Sequence, residues 1–305
     1  MRLNAVIKSS EYTTDRILGV LSQLAAKRLN ERPSFVFNDP DDELFKKVAV
    51  QLKNLGYEVY QFKDTDTASS MQYNPLEYLV ELQKNGLADK VNETVDDISY
   101  FLFEDEAGPY KVLARSVFKN EFVTLIEKSA AGGETVSFKS LDFNASEVLD
   151  QQDLTKEVKE TILFNIKAKL NAEAFKKLSE SSINLQDIGF SEKPAAIFLS
   201  DSEDEVFNLT KSIFIEHLYS SLVQGAFSLK KFKCDRQVFI TLCDFEKMKP
   251  IRNIGFMVAL SIGRGIYFNL LIDSETELLK RYGETTTSRI LSNCKGPIGA
   301  EYAAF

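Results

Sequence analysis

The chain has 305 residues, 44% of them hydrophobic and 27% charged, a composition typical of a globular protein large enough for one to three domains. Its 45 acidic residues outnumber its 37 basic ones, and the net charge of −8 argues against a broad electrostatic surface for nucleic acid or anionic lipid. The single histidine, His217, excludes a Ser-His-Asp triad, an HExxH zinc motif and any multi-histidine metal site.

The cysteines and the apolar stretches indicate the cellular compartment of the chain. Cys234, Cys243 and Cys294 have spacings that match no zinc ribbon or CxxC pair, so we interpret them as reduced thiols. Apolar stretches such as residues 262–272 are shorter than the roughly 20 residues that a bilayer-spanning helix needs. The N-terminus lacks the apolar segment of a secretory signal. We therefore predict a cytoplasmic chain with no direct membrane insertion.

Short runs of β-branched and aromatic residues alternate with helix-length amphipathic patterns near both ends of the chain. The runs predict strands over residues 4–7, 34–38, 58–62, 195–199, 237–242 and 267–272, and the amphipathic patterns predict helices over 14–29, 43–55 and 204–223. Strand runs with little polar alternation, each followed by a helix, are typical of a parallel sheet covered on both faces. The sequence therefore predicts an α/β fold.

The alternation stops in the middle of the chain, where the pattern becomes mostly helical. Helices are predicted over residues 97–103, 111–128, 144–168 and 172–180, with a turn at 131–134. We predict an all-α domain over residues 81–189, inserted into a discontinuous α/β domain of residues 1–80 and 190–305. The insertion holds 20 acidic and 13 basic residues, so most of the negative charge lies there. This acidity indicates either a protein-binding surface or a solvated helical face.

Three segments of the chain contain short sequence motifs that follow one another in a fixed order along the chain. The first reads Phe35-Val-Phe-Asn-Asp39-Pro40-Asp-Asp-Glu43-Leu44, followed by Gly56-Tyr57-Glu-Val59 and Asn74-Pro75-Leu76; the second covers 195–222; the third contains Ile262-Gly-Arg264-Gly265-Ile266, Tyr282-Gly283 and Ile290-Leu-Ser-Asn293-Cys294. Together they resemble the TraG/TraD-type coupling ATPases of conjugative DNA transfer and type IV secretion. The resemblance implies a RecA-like P-loop NTPase fold, with a mostly parallel sheet covered by helices and an inserted all-α domain.

The phosphate-binding loop of that family would lie between the first strand and the first helix. Here the chain reads Lys8-Ser9-Ser10-Glu11-Tyr12-Thr13-Thr14-Asp15, and no Gly-Lys dipeptide occurs anywhere. In this alignment Glu11, Tyr12 and Thr13 replace glycines and a small residue, Thr14 replaces the lysine, and Asp15 replaces the hydroxyl residue. Two carboxylates would face a polyphosphate, each like-charge contact at 4 Å costing about 4 kcal/mol at an effective dielectric near 20. We expect this degenerate loop not to bind ATP in the usual way.

Other positions that carry functional residues in this family also differ in this chain. Cys243 and Asp244 stand where the family has the Walker B Asp and Glu, and Asp273 replaces a Gln at the end of the next strand, whereas Arg264 is retained. Asp41 and Asp42 replace the Lys and Gly of the turn that follows the second strand. We therefore expect no catalytic residues, no cofactor and no metal.

An alternative interpretation is that the altered site binds a metal ion. In that case Asp244 and Glu246 would hold Mg²⁺ or Ca²⁺ together with Asp15, because carboxylates on neighbouring strand ends suit these ions.

The sequence and the resemblance together predict a soluble homologue of the coupling ATPase that does not hydrolyse ATP and acts as an adaptor, regulatory or accessory subunit. Its expected partners are proteins of a conjugative or type IV secretion machinery, including an intact coupling ATPase, with DNA binding weak or absent. Partners would recruit it to the inner face of the membrane.

Two other functions stay open. The first is an active DNA-translocating ATPase with an atypical phosphate loop, which would use ATP and Mg²⁺. The second is a small-molecule or metal-binding role on the same fold, because a fold does not determine function.

Overall fold

The structure is a computed structural model that describes residues 4–8, 23, 27–65, 70–104, 108–132, 136–141, 147–170, 175 and 177–294. The chain divides into two compact units. Unit 1 comprises Met1–Met71, Ile183–Asp201 and Lys211–Phe305, and unit 2 comprises Gln72–Ser182 and Ser202–Thr210. None of the helices within the described ranges is both long and apolar enough to cross a lipid bilayer.

Unit 1 is built on a six-stranded sheet in which every pair of neighbouring strands is parallel. The strands are β1 (Ala5–Lys8), β2 (Ser34–Asn38), β3 (Glu58–Phe62), β4 (Ala195–Leu199), β5 (Val238–Leu242) and β6 (Ile266–Ile272), in the order β1-β6-β5-β2-β4-β3. Strands β2, β4, β5 and β6 are buried along their whole length, which explains their lack of polar alternation. All six predicted strands are confirmed, each to within one residue.

Ten α-helices lie within the described residues. They are α1 (Glu43–Asn54), α2 (Pro75–Lys84), α3 (Ala88–Leu102), α4 (Gly108–Ala130), α5 (Glu147–Asp150), α6 (Lys156–Leu170), α7 (Asp187–Phe190), α8 (Glu205–Ser228), α9 (Ile254–Ser261) and α10 (Glu275–Asn293). The predicted helices at 43–55 and 204–223 correspond to α1 and α8. The helix predicted over 14–29 lies almost wholly outside the described residues, and Leu29–Glu31 forms a short 3₁₀ turn.

The core of unit 1 forms where helix α1 meets the sheet. Leu44, Val48 and Leu52 recur at helical spacing on one face of α1 and are buried in a cluster with aromatic residues of the strands. Within that cluster the ring of Phe35 lies 6.2 Å from the ring of Phe239 on the neighbouring strand. The apolar face of α1 and the apolar strands thus hold the helix against the sheet and fix the strand ends beside it.

Unit 2 consists, in its described residues, of helices without a strand. Its centre is a line of aromatic side chains, Phe103, Phe118, Phe122, Phe138 and Phe175, whose successive ring centroids are 4.8 to 5.8 Å apart. All five rings are buried, so a large apolar area is removed from water. The assignment of this unit as an inserted domain of residues 81–189 stays a prediction.

Three of the predicted helix bounds in unit 2 were wrong. The segment 97–103 is only the C-terminal part of α3, which begins at Ala88. The segment 144–168 contains two helices, α5 and α6, because the chain leaves the helical conformation after Asp150 and restarts behind Thr155, a residue type favoured at helix N-termini. Residues 177–180 are not helical, and the hydroxyl of Ser179 bonds the carbonyl of Phe175, as serine does when it competes with helical structure.

Candidate functional site

The candidate site is the edge of the sheet in unit 1 where the parallel strands end. Ligands of open α/β sheets bind at the carboxyl ends of the strands. Leu242 at the end of β5 is in register with Asn38 at the end of β2 and with Leu270 of β6, which continues to Ile272, so the residues that follow these strands emerge at the same end of the sheet. The structure therefore brings Cys243, Asp244 and Asp273 to one edge.

A lysine that was not predicted joins the two aspartates of this edge. The Lys247 ammonium lies 2.5 Å from Asp244 Oδ1 and 3.4 Å from Asp273 Oδ2, and its hydrogen bond to Asp244 raises the pKa of Lys247. The turn that carries Lys247 starts at Asp244, which has a left-handed φ of 50° and whose carbonyl accepts from the Lys247 amide at 2.8 Å. The carboxylates behind β5 and β6 are thus already bridged by a cation of the chain itself.

Glu246 faces inward at the same strand ends. It is 3% exposed, and its Oε1 accepts from the backbone amide of Asp273 at 2.9 Å, while its main-chain carbonyl accepts from Arg281 Nε at 3.2 Å. These contacts tie the turn after β5 to the end of β6 and to helix α10. Glu246 therefore holds the edge together, and its bonded oxygen is engaged by the backbone.

Cys243 stands where the TraG/TraD-type family has the Walker B aspartate. In this structure its side chain makes apolar contacts. Its side chain packs against a cluster of Ala5, Ile7 and Leu271, and burial raises the pKa of its thiol to about 12. A neutral, buried thiol is a poor ligand for Mg²⁺, which prefers charged oxygen atoms. This position therefore contributes packing between β1, β5 and β6 and no negative charge.

A buried lysine joins the ends of β4 and β2 through an ion pair and a hydrogen bond. Lys211 on α8 is 2% exposed, and its ammonium pairs with the half-exposed carboxylate of Asp201 and donates to Asn38 Oδ1 at 3.3 Å. Asn38 Nδ2 then donates to the carbonyl of Cys243 at 2.7 Å. Burial lowers the pKa of Lys211 to about 7. One continuous set of hydrogen bonds thus links the ends of β4, β2 and β5.

Asp42, in the turn after β2, is paired with groups at the ends of the neighbouring strands β3 and β4. Asp42 has a left-handed φ of 61°, and its carboxylate accepts from Gln61 Nε2 at 2.9 Å, from the hydroxyl of Ser200 and from the Lys63 ammonium. Burial acts to raise the pKa of Asp42, but the bonds from Lys63 and Ser200 outweigh it and hold the pKa below its usual value. Asp42 replaces the glycine of the resemblance at a position whose backbone favours glycine, aspartate or asparagine.

Asp39 caps the helix that follows this turn. Its two carboxylate oxygens accept from the amides of Leu44 and Phe45, at 3.1 and 2.8 Å. Burial is the larger effect and raises the pKa of Asp39. The carboxylate satisfies the first amides of α1, where it also complements the helix dipole.

No protein-family model and no curated protein matches the sequence. Among solved structures, the bacterial conjugative coupling protein TrwBdeltaN70 is similar. Its unbound monoclinic form is 12% identical with a TM-score of 0.52, covering 96% of this chain and 67% of that one. The fold is RecA-like.

Two further TrwB structures match with lower scores. The trigonal form of TrwBdeltaN70 with sulphate is 10% identical with a TM-score of 0.45, covering 95% of this chain and 76% of that one. TrwB in complex with the non-hydrolysable GTP analogue GDPNP is 10% identical with a TM-score of 0.44, covering 90% and 75%. At these identities the similarity to TrwB concerns the fold alone.

The remaining predicted positions are distributed as follows. Lys8 ends β1 in register with Ile272, so its backbone reaches the candidate edge, whereas Ser9, Ser10, Glu11, Tyr12, Thr13, Thr14 and Asp15 lie outside the described residues. Arg264 precedes β6 and therefore lies at the opposite edge of the sheet, with its guanidinium 4.7 Å from the ring of Phe227. Within the ranges that the structure describes, no group of three or more His, Cys, Asp or Glu residues could hold a metal ion.

Sequence reasoning did not identify Lys211, Lys247 or Lys63 as parts of the edge. A helical lysine normally points into solvent, and only its spacing marks Lys211 as different: it follows Phe207 by four residues and precedes Phe214 by three, so it lies on the buried face of α8. Lys247 and Lys63 follow strands closely, but nothing in the sequence distinguishes them from other loop lysines.

Proposed function

We propose that the chain is a coupling-protein-like RecA-fold subunit that does not hydrolyse ATP and acts through protein binding. In this proposal it serves as an adaptor, regulatory or accessory subunit of a conjugative or type IV secretion machinery. The observation that carries the proposal is the Lys247 bridge between Asp244 and Asp273, at 2.5 and 3.4 Å. The carboxylates that would attract a nucleotide-bound cation are engaged by an internal ammonium.

The charge balance of the edge supports the same conclusion. Each lysine side chain described there has a carboxylate partner: Lys63 pairs with Asp42, Lys211 with Asp201, and Lys247 with two aspartates. An incoming polyphosphate would have to displace these partners, and a magnesium ion would have to displace the lysines. The neutral Cys243 adds no attraction for Mg²⁺. One buried oxygen of the edge, Glu246 Oε2, has no hydrogen-bond partner among the described residues, whereas the three lysines and their carboxylates are paired within the chain.

The protein-binding part of the proposal draws on unit 2. That unit contains a cavity of about 340 Å³ whose lining has four carboxylates, Glu104, Glu203, Asp204 and Glu205, against one lysine, Lys169, together with Phe101 and Phe175. Carboxylates around aromatic rings suit a basic segment of a partner, which would bring an ammonium or guanidinium group into the cavity. We expect partner binding to weaken as salt is raised.

Titration calorimetry with Mg-ATP tests the loss of nucleotide chemistry. The whole chain is titrated with Mg-ATP, with Mg²⁺ alone and with a non-hydrolysable analogue, and phosphate release is followed in parallel. We expect no heat at millimolar nucleotide and no phosphate release above background. Micromolar, magnesium-dependent binding, or hydrolysis that Asp244→Ala abolishes, would overturn the proposal.

The alternative function is a DNA-translocating ATPase with an atypical phosphate loop. It predicts binding of single-stranded DNA that falls steeply with salt and is coupled to hydrolysis. Hydrolysis stimulated by single-stranded DNA would support this alternative over our proposal.

A further inference from the structure

A basic and apolar turn stands at the edge of the sheet opposite the candidate site. It comprises residues 227–233, Phe-Ser-Leu-Lys-Lys-Phe-Lys, which end helix α8, and every one of them is exposed. Phe227, Leu229 and Phe232 expose 56%, 52% and 81% of their surface. Three large apolar side chains exposed within six residues depart from the rule that such residues are scattered singly on a protein surface.

The turn is held in one conformation by the backbone around it. The Lys231 amide donates to the carbonyl of Ala226 at 2.7 Å, and Lys230 takes a left-handed φ of 54°, which closes the end of the helix. Arg264 then fixes the tip: its Nη1 donates to the carbonyl of Phe232 at 3.4 Å, and its guanidinium lies over Phe227. The apolar side chains are therefore presented by an ordered backbone.

The charge around these side chains is positive. Lys230, Lys231, Lys233 and Arg264 lie near the three apolar residues, and residues 227–233 include no acidic residue; Asp235, two residues further on, pairs with Lys231 at 2.6 Å. Lysines at the end of α8 also suit the helix dipole, which accounts for the charges but leaves the exposed phenylalanines and leucine unexplained. The combination of protruding apolar side chains within a basic ring is typical of surfaces that lie on anionic membranes.

We propose that the 227–233 turn, with Arg264, is a peripheral contact site for an anionic lipid surface. Phe232, Leu229 and the free face of Phe227 enter the boundary between headgroups and acyl chains, and the lysines and Arg264 meet the phosphate groups. This contact needs no membrane-spanning helix. It goes beyond the proposed function and differs from the expectation that membrane contact depends on partners.

Single-stranded nucleic acid is the other polyanion that basic and aromatic residues bind, and the geometry favours lipid over it. Base stacking needs open ring faces along a groove. Here one face of Phe227 is covered by Arg264, Leu229 has no ring, and the residues project from a turn. A lipid surface uses all three apolar side chains.

A single introduced tryptophan tests the contact directly, because the chain contains no Trp. We expect the emission of Phe232→Trp to shift to the blue with vesicles of phosphatidylcholine containing about one third phosphatidylglycerol, and to shift little with phosphatidylcholine alone. The matched control is Phe164→Trp, at another exposed phenylalanine, for which no shift is expected. Absence of a shift for Phe232→Trp, or an equal shift with both vesicles, would overturn the proposal.

Cosedimentation with the same vesicles tests the residues separately. We expect Phe232→Ala to lower the partition coefficient about tenfold or more, Lys233→Glu to lower it by at least about fivefold, and Phe164→Ala to leave it unchanged. Both altered positions in the turn are exposed, and circular dichroism checks that each variant is folded. Binding of single-stranded oligonucleotide without vesicle binding would assign the turn to nucleic acid and overturn the lipid proposal.

Discussion

The Lys211 ammonium donates to the amide oxygen of Asn38 at 3.3 Å, and the amide nitrogen of Asn38 donates to the main chain of Cys243. Both side chains are buried, so neither can exchange this partner for bulk water. The ends of strands β4, β2 and β5 are therefore coupled through three side chains, Asp201, Lys211 and Asn38. This arrangement makes Lys211 a structural element of the candidate edge.

Lys211→Met is expected to lower the free energy of unfolding by about 1 to 3 kcal/mol, because Asn38 Oδ1 is left buried without its donor. Urea unfolding measures the effect. Lys230→Met, at an exposed lysine at the end of the same helix, serves as the matched control and should change stability by less than about 0.5 kcal/mol. Equal effects of the two substitutions would contradict the role given to Lys211.

The pH dependence of stability should reveal the same lysine. Burial lowers the pKa of Lys211 to about 7 in the folded protein, whereas the unfolded chain titrates near the ordinary value of 10.5. Between these values the unfolded state binds more protons, so stability rises with pH, by at most about 1.4 kcal/mol per pH unit. Comparing unfolding curves of the wild type and Lys211→Met across this window isolates the contribution, which should be absent in the variant.

Substitutions at Asp42 separate backbone conformation from hydrogen bonding. Asp42→Gly keeps the left-handed φ but loses the bonds from Lys63, Ser200 and Gln61, so we expect a loss of about 1 to 2 kcal/mol. Asp42→Ala should cost about 1 kcal/mol more, because alanine is strained at this φ. Thermal or urea unfolding measures the difference, and an alanine variant as stable as the glycine variant would show that the turn relaxes.

Removing the internal cation should change the ion preference of the edge. In Lys247→Met the carboxylates of Asp244 and Asp273 lose their shared partner, and we expect weak, millimolar binding of Mg²⁺ that the wild type lacks. The ion pairs are solvent-exposed, so stability should fall by less than about 1 kcal/mol. Calorimetric titration with MgCl₂ measures the gain. Lys280→Met, at an exposed lysine of α10 paired with Glu277, is the control for nonspecific charge effects.

The strands could be predicted from the sequence because a fully buried parallel strand is a short apolar run, and the six runs here stand out from amphipathic helices. Cys243, Asp244 and Asp273 were singled out by the resemblance to the TraG/TraD-type family, and they lie together because residues that directly follow parallel strands emerge at one edge. The strand prediction itself depends only on local sequence.

The partners of those residues could not be predicted. Lys211 reaches Asn38 from a helix that begins far from β2 in the sequence, and Glu246 turns inward only because the Asp273 amide lies opposite it. Such contacts arise from tertiary packing and leave no periodic signal. The non-helical segment at 177–180 was missed for a related reason: Ser179 makes an individual hydrogen bond to the carbonyl of Phe175, which a hydrophobic pattern does not register.

The pairing of β1 with β6 has a consequence for how the protein forms. Ala5 is paired with Asn269, so β1 is joined to a strand that is synthesised much later. Contacts between such distant residues slow folding, because a long loop must close before they form. Among the described strands β1 has no neighbour other than β6, so the apolar residues Val6 and Ile7 reach their buried positions in the sheet only after β6 has been made.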